Sequence, residues 1–278
     1  MMTRALPIAA LAAALSFPAT SRAAESFDAC TATIVSLPAV LSSSGRYCLV
    51  GDVATAMASG NAIDINANNV TIDCNGFKIG NLAAGAATQT AGVLMHRLNG
   101  TVTGCHFRGF KAPVIGVGAH GARIENNVFE GGRYYGLYLA GDGTTIRGNR
   151  FVDIGGTVGG EAIRVDGSGE IRDNLIDGVT TASGSATGIT GYGDFVVIDN
   201  TIRGLVGPTT DNAVGISFSG EDTQVFIERN HLQARVDEGT GVNCPPVAIF
   251  RDNSVIGFAA PWSGCTDHGR NAKHAAEP

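Results

Sequence analysis

The chain has 278 residues, of which 44% are hydrophobic and 16% charged, so its composition is that of a protein with a buried core, not a disordered one. It carries 19 Lys and Arg against 25 Asp and Glu, a net charge of −6, with the cations scattered along the chain. This distribution disfavours a nucleic acid as partner. Glycine is abundant, at 39 residues, whereas proline is limited to 9, which favours a fold with many turns and excludes a collagen-like one.

The N-terminus has the features of a secretory signal peptide. Arg4 precedes an apolar run over residues 5–17, and Ser21 and Ala23 supply the small residues of a cleavage site. We predict a signal peptide over residues 1–23 and a mature chain that is secreted or periplasmic. The apolar run is too short to span a bilayer, and no other segment reaches the roughly 20 apolar residues of a membrane helix, so no integral membrane span is expected.

Six cysteines, an even number in an exported protein, indicate disulfide bonds. The sequence alone does not fix their connectivity. Closeness along the chain favours three pairs, which are Cys30 with Cys48, Cys74 with Cys105, and Cys244 with Cys265. Free thiols or a metal site are the alternative, although the chain contains no Cys-x-x-Cys motif.

A six-residue frame returns along most of the chain. It consists of an aliphatic residue, two variable residues, Asn, another variable residue and a second apolar residue. Copies begin at Ile72, Ile124, Ile146, Ile171, Val197, Ile227 and Phe250, and a further copy beginning at Val102 has Cys105 in place of the Asn. The mean spacing is about 25 residues, a period that indicates a solenoid.

A second short apolar segment precedes each frame, for example residues 63–65, 93–95 and 137–139. Both kinds of segment alternate apolar with polar residues and are rich in β-branched and aromatic types, which is typical of strands. We therefore predict an all-β fold in which apolar side chains stack in columns from coil to coil. One predicted column is Ile72, Val102, Ile124, Ile146, Ile171, Val197, Ile227 and Phe250, and another is Phe77, Phe107, Phe129, Phe151, Ile176, Ile202, Leu232 and Val255.

The recurring Asn is predicted to mark a bend in each coil. Asn tolerates unusual backbone angles, and its side-chain amide can bond the equivalent Asn above and below. We expect Asn127, Asn149, Asn174 and Asn200 to lie one over another along the axis of the solenoid.

The opening repeats resemble those of a known family. The segments 62–65 and 69–79, preceded by Gly45-Arg46-Tyr47-Cys48-Leu49, are similar to the first coils of right-handed parallel β-helix proteins of the pectin-lyase-like superfamily. The resemblance extends from about Tyr47 to Phe258 and implies a single-stranded right-handed parallel β-helix of about eight to nine coils. It says little about a reaction, because the superfamily includes lyases, hydrolases, epimerases, esterases, tailspikes and proteins without an assigned activity.

We expect four segments along the chain. Residues 1–23 are the signal peptide, 24–60 an N-terminal cap with the first strands, 61–258 the β-helix, and 259–278 a C-terminal cap with a polar tail. The caps are expected because the edge of such a stack needs covering.

Outward positions of the first strand in each coil are the candidates for function. They are predicted to form a column of Asp64, Leu94, Gly116, Tyr138, Arg164, Thr190, Ser217 and Asn243. Aromatic rings beside polar groups suit a sugar, which offers an apolar face and hydroxyl groups. We therefore predict contact with a polysaccharide or other glycan through four residues, which are Tyr138, Tyr192, Tyr135 and Arg133.

Whether the protein is an enzyme is open at this stage. The resemblance implies that a lyase of this fold would use Arg164 as the catalytic base and Ca²⁺ held by Asp142, Asp166 and Asp194. Glu161 with Asp166 would be the carboxylates of a hydrolase. The alternatives are a non-catalytic glycan-binding module and a structural component of the cell envelope. Three histidines on neighbouring coils, His96, His106 and His120, are expected to lie on different faces and to have no catalytic role. The particular glycan and the oligomeric state are left undetermined.

Overall fold

The computed structural model describes residues 29–220, 223–235, 239–245 and 247–274. The predicted signal peptide, residues 1–23, lies outside the described residues. None of the helices among the described residues is both long and apolar enough to cross a membrane.

The described chain contains mostly short strands, three longer ones, and two single-turn 3-10 helices, Leu82–Ala84 and Thr210–Asn212. The first half contains β1 (Ala32–Ile34), β2 (Ala39–Leu41), β3 (Gly45–Leu49), β4 (Val53–Ala54), β5 (Asn61–Ile65), β6 (Val70–Asp73), β7 (Lys78–Gly80), β8 (Ala91–Met95), β9 (Thr101–Thr103), β10 (His106–Arg108), β11 (Ala112–Val117), β12 (Arg123–Glu125), β13 (Val128–Glu130) and β14 (Tyr135–Arg147). The second half contains β15 (Arg150–Ile154), β16 (Gly160–Arg172), β17 (Leu175–Thr180), β18 (Ala186–Ile198), β19 (Thr201–Val206), β20 (Ala213–Ser219), β21 (Val225–Glu228), β22 (His231–Gln233), β23 (Thr240–Asn243), β24 (Ile249–Arg251), β25 (Ser254–Ile256), β26 (Ala260–Ser263), β27 (Thr266–Asp267) and β28 (Ala272–His274).

These strands pair in parallel as three ladders that run along the solenoid. The first ladder joins β2, β5, β8, β11, β14, β16, β18, β20, β23 and β26. The second joins β1, β3, β6, β9, β12, β14, β16, β18, β21, β24 and β27. The third joins β4, β7, β10, β13, β15, β17, β19, β22, β25 and β28. The long strands β14, β16 and β18 run through the bend between the first two ladders.

The fold predicted from the repeat is confirmed. The chain is an all-β, right-handed parallel β-helix, in which the coils bearing the Asn or Cys frame number about eight. The parallel pairing also continues on both sides of the segment 61–258, because β1 to β4 pair ahead of it and β26 to β28 pair after it. The last of these strands contains Lys273, in the region that the sequence predicted as a polar tail.

The inward columns form the core. The second-ladder column from Ile72 to Phe250 is in register from coil to coil as predicted, and all of its side chains are fully buried. In the third ladder, Phe107 stacks on Phe129 at 5.5 Å between ring centroids, and Phe129 stacks on Phe151 at 4.8 Å. Each coil thus buries apolar surface against the next, which is the main stabilising contribution in a solenoid.

The first member of the third-ladder column differs from the prediction. Ile79, not Phe77, pairs with Phe107. Asn75 and Gly76 both have positive φ, at 50° and 81°, and form a two-residue turn before the strand starts. Because of this turn, the first inward side chain of the third ladder lies two residues later in the chain, at Ile79. Phe77 is only partly buried and packs against the margin of the core.

The recurring Asn residues stack as predicted and form a continuous amide ladder. In each rung the backbone N–H and the Nδ2 group of one Asn both donate to Oδ1 of the Asn in the next coil, as Asn149 does to Asn174 at 3.0 and 3.1 Å. The Nδ2 group also donates to a backbone carbonyl, which for Asn149 is that of Ile124 at 2.8 Å. The ladder runs through Asn127, Asn149, Asn174, Asn200, Asn230, Asn253 and Asn271.

The bend itself depends on the residue before each ladder Asn. That residue has a left-handed φ between 54° and 65° in Asn126, Gly148, Asp173, Asp199, Arg229, Asp252 and Arg270, and Gly104 before Cys105 has the same conformation. The ladder Asn residues do not share this conformation, contrary to the role predicted for them at the bend. Gly, Asn and Asp tolerate this region better than other residues do, which explains most of the choices at this position.

Three disulfides form between the pairs that lie close in the sequence, as predicted. Cys30 bonds Cys48, Cys74 bonds Cys105, and Cys244 bonds Cys265. The backbone N–H of Cys105 donates to Oδ1 of Asn127, so this cysteine occupies the first rung of the amide ladder. Two disulfides lie at the N-terminal end of the stack and one at the C-terminal end.

Candidate functional site

The outward side of the first ladder carries the predicted polar column. Tyr138 pairs with Arg164, and the column continues through Thr190, Ser217 and Asn243. The member before Tyr138 is Ile115, not Gly116 as predicted. Gly116 points into the core, where an added Cβ would lie 2.6 Å from Cδ2 of Leu139, so this position is glycine for packing reasons.

Arg164 lies at the centre of a compact cluster. Its guanidinium approaches Glu161 at 3.5 Å and Asp166 at 3.9 Å, both from the same strand β16. It also lies over the ring of Tyr192, 5.7 Å from the centroid, which is a cation–π distance. Arg164 and Asp166 face outward because they alternate with the buried Ile163 and Val165, and Glu161 is partly exposed ahead of two consecutive buried residues, Ala162 and Ile163.

Tyrosine rings extend this cluster along strand β14. The ring of Tyr135 stacks on that of Tyr138 at 5.5 Å, and Tyr134 meets Tyr135 edge-on at 4.5 Å. The hydroxyl of Tyr138 donates to Oδ2 of Asp166 at 2.9 Å. Tyr135 is in register with Glu161 on the next coil, and Asp166 with Tyr192 on the coil after that. We call the set Tyr135, Tyr138, Glu161, Arg164, Asp166 and Tyr192 the tyrosine–arginine face.

The ionisation of this face is perturbed by burial. Burial raises the pKa of the Tyr135 hydroxyl to about 12, with the Glu161 carboxylate adding to the shift. Burial also raises the pKa of Glu161, partly offset by Arg164. Burial alone would lower the pKa of Arg164, but the Glu161 and Asp166 carboxylates outweigh it and raise that pKa. The guanidinium therefore stays protonated, and Glu161 takes up a proton more readily than an exposed glutamate.

Two carboxylate oxygens on the tyrosine–arginine face lack a hydrogen-bond donor. They are Oε2 of Glu161 and Oδ1 of Asp166, both buried. The Arg164 nitrogens that approach them make long ion pairs without hydrogen-bond geometry. Buried acceptors of this kind are uncommon in folded proteins and are satisfied when a ligand or a water supplies the donor.

The three aspartates predicted to bind Ca²⁺ do not come together. Asp166 accepts the Tyr138 hydroxyl, whereas Asp142 lies in a bulge two positions further along its coil and accepts from Ser168. Asp194 pairs in register with Ser168 and accepts the backbone N–H of Gln224. Throughout the part of the chain that the structure describes, no three acidic, His or Cys side chains are grouped as metal ligands.

The three histidines lie apart, each beside a different carboxylate. His96 is 3.7 Å from Asp64, His106 is 2.9 Å from Glu130, and His120 is 3.3 Å from Asp142. They do not share a site with Arg164.

Arg133, predicted to contact substrate, lies in the turn that precedes β14 and makes no ion pair with the carboxylates beside Arg164 among the described residues. It lines a cavity of about 390 Å³ together with Lys111 and Tyr134. No repeated pattern in the sequence points to Lys111, because this residue lies in a turn of variable length outside the repeat. Its only sequence signal is that it is one of the few lysines in the chain.

Comparison with known families identifies the repeat independently of the site. The model of the right handed beta helix region matches residues 26–182, more than half of the chain. Comparisons with curated proteins and with solved structures give no match. The matched segment includes β1 to β17 and therefore contains most of the tyrosine–arginine face. Its extent, and the three parallel ladders, show that the chain belongs to the right-handed β-helix family.

Proposed function

We propose that this protein binds a polysaccharide or other glycan along the tyrosine–arginine face. The observation that carries the proposal is the set of stacked and exposed tyrosine rings beside the partly exposed carboxyl groups of Glu161 and Asp166. A sugar ring would pack on the rings of Tyr138 and Tyr192, and its hydroxyls would donate to Glu161 and Asp166. The β-helix family is consistent with a glycan-related protein, which supports the proposal.

The protonation of Arg164 favours binding over elimination. A lyase base must be able to lose a proton near the working pH, whereas the two carboxylates raise the pKa of Arg164. We therefore assign Arg164 to ligand orientation, through its fixed position between Glu161 and Asp166. Turnover is the second candidate, because the raised pKa of Glu161 suits a proton donor to a leaving group.

The proposal is tested by affinity measurements on a panel of neutral and acidic polysaccharides. Tyr138→Ala is expected to weaken binding of the retained glycan about tenfold, because it removes one stacking ring and the hydroxyl that orients Asp166. Phe226→Ala is the matched control, because Phe226 is also an exposed aromatic residue but lies on the second ladder. Equal losses in both variants, or retention of no glycan by the wild-type protein, would reject the proposal.

Turnover is tested on the same panel by following the ultraviolet absorbance of unsaturated products and the release of reducing ends. Absorbance that grows with time and is lost in Arg164→Ala would replace binding with elimination as the function. Reducing ends without absorbance, lost in Glu161→Gln, would indicate hydrolysis.

We also propose that the protein acts outside the cytoplasm after cleavage of residues 1–23. All six cysteines are paired, which fits an oxidising compartment. N-terminal sequencing of the protein recovered from the periplasm or the medium tests the cleavage site. A start at residue 24 is the expected result, and a chain that retains Met1 in the cytoplasm would contradict it.

A further inference from the structure

The cavity that Arg133 lines adjoins the tyrosine–arginine face at the turns that lead into the first ladder. It has a volume of about 390 Å³, within the range of small-ligand pockets. Turns of four successive coils contribute to it, and the lining includes Thr88, Gln89, Lys111, Arg133, Tyr134 and Thr157. No acidic residue is among the lining residues. We call it the turn cavity.

The turn cavity contains two cations that have no carboxylate partner among the residues that the structure describes. Within the described ranges, most arginines lie within 4 Å of an acidic group, but neither Lys111 nor Arg133 does. Nζ of Lys111 donates to Oε1 of Gln89 at 2.7 Å, which leaves its other N–H groups free. Nε of Arg133 is buried and has no acceptor. The chain as a whole has a net charge of −6, but the two cations make the electrostatic potential around this cavity positive, which favours binding of an anion.

The turn cavity is continuous with the face through the tyrosines. Tyr134 lines the cavity and meets the ring of Tyr135 edge-on, and Tyr135 stacks on Tyr138. A ligand that lies on Tyr138 and extends past Tyr135 would reach Lys111 and Arg133. The two regions differ in chemistry, because the face offers carboxylate acceptors whereas the cavity offers cationic donors.

We propose that the turn cavity is an anion subsite that takes a carboxylate or sulfate group on the bound glycan. The inference rests on the proposed function and adds to it the class of ligand, a glycan with an acidic substituent next to a unit that offers hydroxyl donors. Arg133 and Lys111 supply the two positive charges that bind the anion, and Thr88 and Thr157 line the same cavity.

The experiment compares matched acidic and neutral probes by calorimetry or affinity electrophoresis. Polygalacturonate oligomers are compared with their carboxyl-reduced form, and dextran sulfate oligomers with dextran. Arg133→Gln is expected to weaken binding of the acidic probe about tenfold and to leave binding of its neutral counterpart unchanged. The pair that shows the effect identifies the group as carboxylate or sulfate. Arg123→Gln is the matched control, because Arg123 is also outside the observed ion pairs but is exposed on the second ladder.

Three outcomes would overturn the inference. One is an equal loss for the acidic and the neutral probe in Arg133→Gln, and another is no loss at all. The third is an equal loss in Arg123→Gln, which would show that only overall charge matters. Failure of the proposed function is distinguished by Tyr138→Ala. If that variant binds every probe as the wild type does while Arg133→Gln weakens the acidic one, the anion subsite stands and the tyrosine–arginine face does not.

Discussion

At the scale of single residues, the amide ladder explains why one residue type returns in every coil. Each bend buries a backbone N–H that the strand pairing does not satisfy, and the Oδ1 of the next Asn accepts it. Asn supplies an acceptor and two donors from one short side chain, whereas Asp would lack the donors. The next coil has the same buried N–H group at its bend, and it therefore also needs an Asn in the coil that follows.

The ladder predicts an unequal cost for removing its rungs. Asn174→Ala is expected to lower the free energy of unfolding by about 3 kcal/mol, because the backbone N–H and one Nδ2–H of Asn149 lose their acceptor and the Ile146 carbonyl loses the Asn174 donor. Asn271→Ala is the control at the end of the ladder, where water can replace the lost bonds, and about 1 kcal/mol is expected. Urea unfolding measures both variants, and similar losses would contradict the role of burial.

Glu161 predicts a pH dependence of stability. Its pKa is raised in the folded protein, so the folded state holds a proton that the unfolded state has already lost as the pH increases. Its contribution to stability is therefore present below the pKa of the unfolded state and is lost as the pH rises through the pKa of the folded state. We expect the wild-type protein to lose more stability than Glu161→Gln as the pH rises from below the ordinary pKa of a glutamate to above the raised pKa of Glu161 in the folded protein. Thermal unfolding across this range measures the difference, and parallel curves would contradict the prediction.

At the scale of strands, glycines leave room for large inward side chains in the first ladder. Gly116 and Gly191 occupy inward positions beside large side chains of the neighbouring coils. At Gly191 an added Cβ would lie 2.6 Å from Cγ2 of Val165 and 2.7 Å from Cε1 of Phe218. The fully buried ring of Phe218 therefore uses the space that Gly191 leaves.

This packing predicts that even a methyl group is costly at the position. Gly191→Ala is expected to destabilise the protein by about 1–3 kcal/mol through overpacking. Phe218→Leu in the same chain should recover part of the loss by reducing the volume beside it. Gly51→Ala is the control, because an added Cβ there meets no atom within 4 Å, and an effect within about 0.5 kcal/mol is expected. Thermal unfolding compares the four proteins, and a Gly191→Ala variant as stable as the control would contradict the packing argument.

At the scale of the whole molecule, the disulfides hold the two ends of the stack. Each coil contacts mainly its neighbours, so an end coil has a partner on one side only and is the first to open. Cys30–Cys48 and Cys74–Cys105 link early coils, and Cys244–Cys265 links late ones. The coils around Phe129 and Phe151 are held by packing and by the amide ladder without a covalent link.

The position of the disulfides predicts where stability is lost on their removal. Replacing Cys244 and Cys265 by Ser is expected to cost about 2–4 kcal/mol, because the cross-link restricts the unfolded chain. Hydrogen exchange should show the loss in β23 to β28 and leave the amides around Phe129 protected. Uniform loss of protection along the chain would show that the stack opens as one unit.

Much of the fold is determined by local pattern in the sequence. The spacing of Asn149, Asn174 and Asn200 predicts the solenoid and its amide ladder, because every coil has a buried backbone N–H at its bend and the Asn of the next coil accepts from it. Closeness along the chain likewise predicts the three disulfides, because stacked coils bring cysteines about one repeat apart into contact. The columns fail where a turn changes length, as at Asn75-Gly76 before Ile79, because a strand shifted by two residues keeps its inward pattern but changes its partner.

The sequence predicts only part of the candidate functional site. The register of Tyr138, Arg164 and Thr190 follows from the repeat, so the sequence could place them in one column. The turn cavity could not be predicted, because Thr88, Lys111, Tyr134 and Thr157 lie in turns that share neither length nor sequence. The sequence by itself thus determined the coil and its buried columns, which depend on short-range periodicity. Only the tertiary structure decided which turn residues meet, because their approach depends on the path of four loops over an already stacked core.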